Sequence, residues 1–358
     1  MKIINVVGAR PNFMKIAPLM NAYKKQPSFL PLLLHTGQHY DSQMSELFFT
    51  ELNIPKPDIY LNIGSDTHAK QVAKIMVAFE DVCVAEKPDA ILVVGDVNST
   101  MACSIVASKL GIKIIHLEAG LRSFDRTMPE EINRLVTDTL ADMLLIPSVD
   151  AKENLLKEGV DESKIHFVGN IMIDTLFSLL PVIEKSDIHK TLDLTPQDYI
   201  LVTLHRPSNV DDFENLKNLL VTLNEVSEKI KVVFPIHPRT IKNINNYNLS
   251  KYLDRIIHTE PLGYIDFQKL MTNSKLVVTD SGGVQEETTA LGIPCLTARE
   301  NTERPVTVSE GTNIIIGNNM GLLLDGVENA IKNKWKESHI PEFWDGKTAD
   351  RVVNTLLN

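Results

Sequence analysis

The densest run of chemistry-bearing residues in the chain is His116 to Arg134, HLEAGLRSFDRTMPEEINR. It sets Glu118, Asp125, Glu130 and Glu131 among Arg122, Arg126 and Arg134, around Gly120 and Pro129. Carboxylates held near a polarised group can give and take protons, and arginines beside them can grip an anion through paired N–H donors. A solvated surface loop could carry the same charges, so position matters. The run follows Ile112-Lys113-Ile114-Ile115, which reads as a buried strand, and loops at strand ends are where α/β proteins bind ligands.

Other strand ends carry comparable groups. Ala90–Val94 reads as the clearest buried parallel strand and ends in Gly95-Asp96-Val97-Asn98-Ser99-Thr100, ahead of a helix expected over 101–110. Asp96 could belong to that helix's N-cap region or face the crevice where such sheets bind ligands. Lys2–Val7 reads as a strand leading at once into Gly8-Ala9-Arg10-Pro11 and an apolar-patterned helix. Strand, glycine turn and helix present a helix N-terminus to an anion, with Arg10 and Lys15 close by. The turn lacks a G-x-G-x-x-G pattern, so no nicotinamide cofactor is expected.

In the second half, Asp280-Ser281-Gly282-Gly283-Val284-Gln285-Glu286-Glu287 is the most telling stretch. Paired glycines at a helix N-terminus let backbone N–H groups approach a phosphate. Ser281 adds a hydroxyl, and Glu287, one turn on, could accept from a ribose diol. A glycine turn that merely joins strand to helix would read the same way. Arg304, in the loop Arg299-Glu300-Asn301-Thr302-Glu303-Arg304-Pro305, could contact a diphosphate or fix its own loop. His205 and Arg206 end the strand expected over 199–204. No His, Cys and Asp spacing matches a zinc or two-metal site, so no metal is expected.

These groups need a scaffold of alternating strands and helices. The further strands expected are Leu32–His35, Met143–Ile146, Ile165–Val168, Val232–Ile236, Ile256-Ile257, Leu276–Thr279 and Asn313–Ile316, with another opening at Gly292. Helices are expected over 46–52, 69–86, 131–140, 150–157, 213–229, 264–271 and 284–291, with one more within 169–194 and a final helical region after Ile316. The alternation gives an α/β fold of two consecutive doubly wound domains, 1–169 and 170–340, with a deep cleft between them. A chain of 358 residues is long for one core and fits two domains.

The net charge of −10 argues against general binding to nucleic acid or an anionic membrane, though a local cluster of arginine and lysine can still hold an anionic small ligand. Cys83, Cys103 and Cys295 are far apart with no CxxC pair, which suits a reducing compartment. With no leader pattern and no apolar run long enough to span a bilayer, a cytoplasmic protein is expected.

Taken in order, GARPNFMKIAP, TGQHYD, GDVNST, HLEAGLRSFDRTMPEEINR, LHRPSN, HPR, DSGGVQEE and TERP resemble the non-hydrolysing UDP-N-acetylglucosamine 2-epimerase family across nearly the whole chain. The resemblance implies the GT-B architecture: two Rossmann-like domains, the active site in the cleft, and a C-terminal helix, 341–358, crossing back to the first domain. It implies a cytoplasmic homodimeric isomerase whose partner is a UDP-sugar. The implied reaction interconverts UDP-N-acetylglucosamine and UDP-N-acetylmannosamine. C2 of the sugar adjoins no carbonyl, so its proton resists simple abstraction; the family eliminates UDP across C1–C2 to a 2-acetamidoglucal and adds it back. By their motifs, Asp96, Glu118 and Glu130 match the family's catalytic carboxylates and His205 its catalytic histidine. Arg10, Lys15, Arg134, Ser281, Gly282, Gly283, Glu287 and Arg304 match positions that bind the nucleotide sugar. For proton transfer Asp96 or Glu130 is favoured, with Glu118 stabilising charge.

Three places depart from many members. The first turn reads Ala9-Arg10-Pro11-Asn12-Phe13 rather than Thr-Arg-Pro-Glu. The histidine motif reads His205-Arg206-Pro207-Ser208 rather than His-Arg-Arg-Glu. His39-Tyr40-Asp41 replaces the usual His-Arg loop. In those members the arginine replaced by Pro207 belongs to a second, activating UDP-N-acetylglucosamine site. Rival readings are a 2-epimerase of a diacetamido or uronic-acid UDP-sugar, a hydrolysing 2-epimerase releasing N-acetylmannosamine and UDP, a GT-B glycosyltransferase, and a UDP-sugar sensor without turnover.

Overall fold

The computed structural model of the chain describes residues 1–38 and 55–357, and of Arg10 only the backbone. The helix expected over 46–52 and the loop His39-Tyr40-Asp41 lie outside the described residues.

Two units divide the chain, Met1–Ser178 with Glu342–Asn358, and Leu179–Pro341. The first alternates β1 (Lys2–Val7), α1 (Arg10–Tyr23), β2 (Leu30–His35), β3 (Ile59–Tyr60), α2 (His68–Glu86), β4 (Ala90–Val94), α3 (Asn98–Leu110), β5 (Lys113–Leu117), α4 (Pro129–Leu140), β6 (Met143–Ile146), α5 (Val149–Lys157), β7 (Ile165–Phe167) and α6 (Ile171–Ile183). The point of division falls within α6. Among the described residues the seven strands pair in parallel, in the order β3-β2-β1-β4-β5-β6-β7. β4 is AILVV with every residue buried, the continuous apolar run that a strand covered by helices on both faces requires. Ile4, Val6, Ile91, Val93, Ile114 and Leu144 form the middle of its core.

The second unit alternates β8 (Tyr199–Thr203), α7 (Phe213–Val226), β9 (Lys231–Pro235), α8 (Pro238–Asn246), β10 (Ile257–Thr259), α9 (Tyr264–Thr272), β11 (Leu276–Thr279), α10 (Gly282–Leu291), β12 (Cys295–Thr297), β13 (Asn313–Ile315) and α11 (Met320–Ile331). Its six strands are again parallel, ordered β10-β9-β8-β11-β12-β13. The last helix, α12 (Thr348–Leu357), belongs to the first unit and packs on α1.

Both units are Rossmann-like and doubly wound, as expected of the GT-B architecture. In each sheet the chain starts in the middle, winds outward, then returns to the other side of its first strand. The reversal lies between β1 and β4 in one unit and between β8 and β11 in the other. Loops leaving the two strands at such a reversal diverge, and the gap above the strands' carboxyl ends receives ligands. Several bounds differ from expectation. α3 starts at Asn98 rather than at Met101, and α10 at Gly282 rather than Val284, which makes both glycines part of the first helical turn. All three cysteines are buried. Among the described residues no helix is long and apolar enough to cross a membrane.

Candidate active site

In the first unit, the loops after β1 and β4 flank the reversal, and the loop after β5 adjoins them. Asp96 follows β4. Its Oδ2 accepts from Arg134 Nη2 at 2.6 Å and Nε at 3.1 Å. Arg134 Nη1 turns the other way to Glu131 Oε2 at 2.7 Å, and Asn133 Nδ2 donates to the Asp96 carbonyl at 2.8 Å. α4 therefore holds Asp96 with residues one position apart. Glu118, at the end of β5, is buried and paired with the equally buried Lys15 of α1. Its φ is +73°, a left-handed conformation uncommon for a residue with a side chain and concentrated at sites where surrounding structure enforces it. Four elements thus deliver two cation–carboxylate pairs: Lys15 of α1 with Glu118 after β5, and Arg134 of α4 with Asp96 after β4.

Glu131 is the loop's anchor. It is buried, and its two oxygens accept from the backbone N–H groups of Ser123 and Phe124 at 2.9 and 3.0 Å. Glu130, one residue earlier, is exposed in the first turn of α4, where the helix dipole favours a carboxylate. The pair Glu130-Glu131 is therefore divided between a solvent-facing acid and a structural one.

In the second unit the reversal is occupied by Asp280, fully buried after β11. It accepts from the backbone N–H groups of His205 at 3.0 Å and Arg206 at 2.8 Å, and from Asn209 Nδ2 at 2.9 Å. His205 Nδ1 lies 3.1 Å from its Oδ1. Burial works to raise the Asp280 pKa, but the His205 ring and the donors around it outweigh that and hold it below the usual carboxylate range. With Nδ1 on this carboxylate, the His205 Nε2 side is the one left to act on a ligand, in the way a carboxylate orients a working imidazole. The His237 ring stands 5.7 Å from that of His205. Its own pKa is lowered by burial and then by His205 and Arg239 nearby.

Ser281 precedes α10, and Gly282 and Gly283 open it. A Cβ on Gly282 would stand 2.7 Å from Arg304 Nη1, whereas one on Gly283 would meet nothing within 4 Å. Gly282 makes room for the guanidinium; Gly283 leaves the helix N-terminus open on its outer side. Arg304 pairs with Glu286 Oε1 at 2.7 Å, beside Glu303, which Arg299 holds by two contacts of 2.8 Å. Glu287 is buried, accepts from the Tyr264 hydroxyl at 2.8 Å, and is pushed up to about 7 by burial.

A sequence profile described as UDP-N-acetylglucosamine 2-epimerase matches residues 21–357. The chain belongs to the UDP-N-acetylglucosamine 2-epimerase family. It is 43% identical over 366 residues to the UDP-N-acetylglucosamine 2-epimerase of Methanocaldococcus jannaschii, covering 99% of each chain. It is 41% identical over 360 residues to the UDP-2,3-diacetamido-2,3-dideoxy-D-glucuronate 2-epimerase of Pseudomonas aeruginosa, again over 99% of each. Among solved structures it is similar to the crystal structure of the M. jannaschii UDP-GlcNAc 2-epimerase in complex with UDP-GlcNAc and UDP, with TM-score 0.89, 44% identity and coverage of 100% of this chain and 99% of that one.

Of the residues singled out in the sequence, the fold of this family member gathers Lys15, Asp96, Glu118 and Arg134 around the first reversal, and His205, Ser281, Gly282 and Gly283 around the second. Arg304 joins them through Gly282, and Glu287 sits deeper in α10. Arg10 is the first residue of α1; its side chain lies outside the described residues. Asp280, Tyr264, Glu286 and Asn133 carry no site role in the sequence reading, and Glu131 stands there only as one acid of the charged loop. Asp280 was the most legible of these, since it opens the glycine motif itself.

Proposed function

We propose that the protein interconverts UDP-N-acetylglucosamine and UDP-N-acetylmannosamine by reversible elimination and re-addition of UDP across C1–C2, without hydrolysis. The observation that carries the reading is the pairing of two separately clamped carboxylates, Asp96 on Arg134 and Glu118 on Lys15, at one strand reversal. Epimerisation through a glucal needs acid/base groups for C2–H and charge stabilisation near C1, which a single catalytic base would not supply. In this reading Asp96 or Glu130 moves the C2 proton and Glu118 stabilises charge. In the second unit, the open N-terminus of α10 and Arg304 hold the diphosphate, Glu287 takes the ribose, and His205, oriented by Asp280, serves the departing UDP. No cofactor or metal takes part in these steps. A cytoplasmic homodimer goes with the proposal, and sedimentation would read its mass directly.

A second reading has a specific support. The P. aeruginosa relative named for a diacetamido glucuronate is 41% identical, nearly as similar as the M. jannaschii relative at 43%. The sugar could therefore be a UDP-2,3-diacetamido uronate with the same C2 chemistry.

Proton NMR of the protein with UDP-N-acetylglucosamine in D2O separates these readings. UDP-N-acetylmannosamine, with deuterium at C2 of both epimers, is the expected outcome. UDP with free N-acetylmannosamine would mean hydrolysis, and an unchanged spectrum followed by turnover of the diacetamido uronate would shift the substrate. Asp96→Asn, Glu118→Gln and Glu130→Gln should each lower turnover by roughly a hundredfold to ten-thousandfold with modest change in UDP affinity. Near-normal turnover in all three would remove the acid/base assignment.

A further inference from the structure

His116 lies in β5 with its side chain wholly buried. One ring nitrogen, Nδ1, is 2.6 Å from Asp138 Oδ1; the other, Nε2, is 2.9 Å from the carbonyl oxygen of Gly95. A carbonyl can only accept. Asp138 is held below the usual carboxylate range, since His116 and Arg122 outweigh the burial that would raise it. Against the Gly95 carbonyl, Nε2 is the donor.

The Gly95 carbonyl belongs to the peptide that leads into Asp96. Gly95 has φ +68°, a turn with no side chain to stiffen it, and its N–H donates to the Leu117 carbonyl at 3.1 Å. The peptide leaving Asp96 is fixed separately, by Asn133 on its carbonyl. On its other oxygen Asp138 accepts from the Gly120 N–H at 3.1 Å and pairs with Arg122 at 2.7 Å. Gly120 follows the left-handed Glu118 by two residues, and Arg122 is held in turn by Glu158. One buried carboxylate thus reaches both acidic turns: through His116 to the Gly95–Asp96 peptide, and directly to the loop after Glu118.

We propose that His116, held by Asp138, is a positioning residue for the epimerisation, which fixes the peptide plane before Asp96 through a hydrogen bond to the Gly95 carbonyl. The inference rests on the reading of Asp96 as an acid/base group. A strand histidine serving only to fill the core would need neither nitrogen on the active-site turn.

The test compares two variants with different reach. His116→Asn retains a donor near the Nδ1 position and loses the one on Gly95; His116→Gln extends a donor toward the Nε2 position. His116→Asn should lower kcat about a hundredfold, the scale of a misplacement near 1 Å, with KM and UDP affinity within about threefold. His116→Gln should restore kcat to within about tenfold of the wild type. Equal losses in the two folded variants, or an Asn variant within threefold of wild-type kcat, would overturn the proposal. Nitrogen-15 NMR of the wild-type imidazole should show a proton on His116 Nε2; a bare Nε2 would overturn the proposal even if the Asn variant failed to fold. Wild-type protein without turnover would count against the functional reading instead, and leaves the ring measurement intact.

Discussion

Glu287 is a carboxyl whose surroundings oppose its charge. Burial dominates, the Gln268 and Tyr264 side chains oppose it, and the pKa is pushed up to about 7 from 4.5. The folded protein therefore binds that proton more tightly than the unfolded chain. The stability this confers is complete below about pH 4.5 and is lost as pH rises to about 7, a contribution of about 3 kcal/mol. Glu287→Gln, which cannot titrate, should show no such loss. Stability measured by urea at pH 4.5 to 8 should fall for the wild type relative to the variant across that window; a constant difference would show that Glu287 titrates normally. The motif DSGGVQEE singles out Glu287 and Ser281 because both stand in one local run with the paired glycines. It did not announce Tyr264, 23 residues away, as the Glu287 partner. Asp280 likewise gains its work from His205 and Arg206, 75 and 74 residues earlier, and His116 from Asp138, 22 residues later. A residue's type and neighbours in sequence reveal a donor or an acceptor; only the fold names its partner.

At the scale of elements, the two glycines opening α10 have different tasks. Gly282→Ala would thrust a methyl against Arg304 Nη1, so it should move the guanidinium and weaken both fold and UDP binding. Gly283→Ala meets open space, and alanine at a helical position is worth about 0.4–1 kcal/mol over glycine. Its melting temperature should hold or rise while its UDP affinity falls, because the new methyl occupies the side of the helix N-terminus that a phosphate would approach. Unchanged UDP affinity in a folded Gly283→Ala protein would place the diphosphate elsewhere. Most elements were legible because buried parallel strands such as β4 are unbroken apolar runs. Two were not. α8 reads PRTIKNINN, with three asparagines and a net polar composition, and helical propensity there is weak. It is held from outside by Thr240 Oγ1 on the Leu204 carbonyl and Asn243 Nδ2 on the Val210 carbonyl. β3 is two residues long and is a strand only through its register, Leu34 with Ile59 and His35 with Tyr60.

The whole chain doubles back on its first unit. Asp174 in α6 accepts from the backbone N–H groups of Thr348 and Ala349 at 3.0 and 2.7 Å, capping the N-terminus of α12 from 174 residues away. Just upstream, Trp344 is buried with its Nε1 on the Pro147 carbonyl at 3.0 Å, so the returning segment is pinned at two points. The chain's two tryptophans report on different units, since Trp335 packs against the core of the second unit and donates to the Thr312 carbonyl at 2.7 Å. Losing a cap costs about 1–2 kcal/mol, and every bond described for Asp174 lies in the first unit. Asp174→Ala in a Trp335→Phe background should therefore shift the urea transition seen by Trp344 by that amount toward lower urea. In a Trp344→Phe background the transition seen by Trp335 should stay where it was before Asp174 was changed. Equal shifts of both transitions would mean that the returning segment stabilises the chain as one cooperative block, and no shift in either would mean that α12 is held by its packing on α1 without need of the cap.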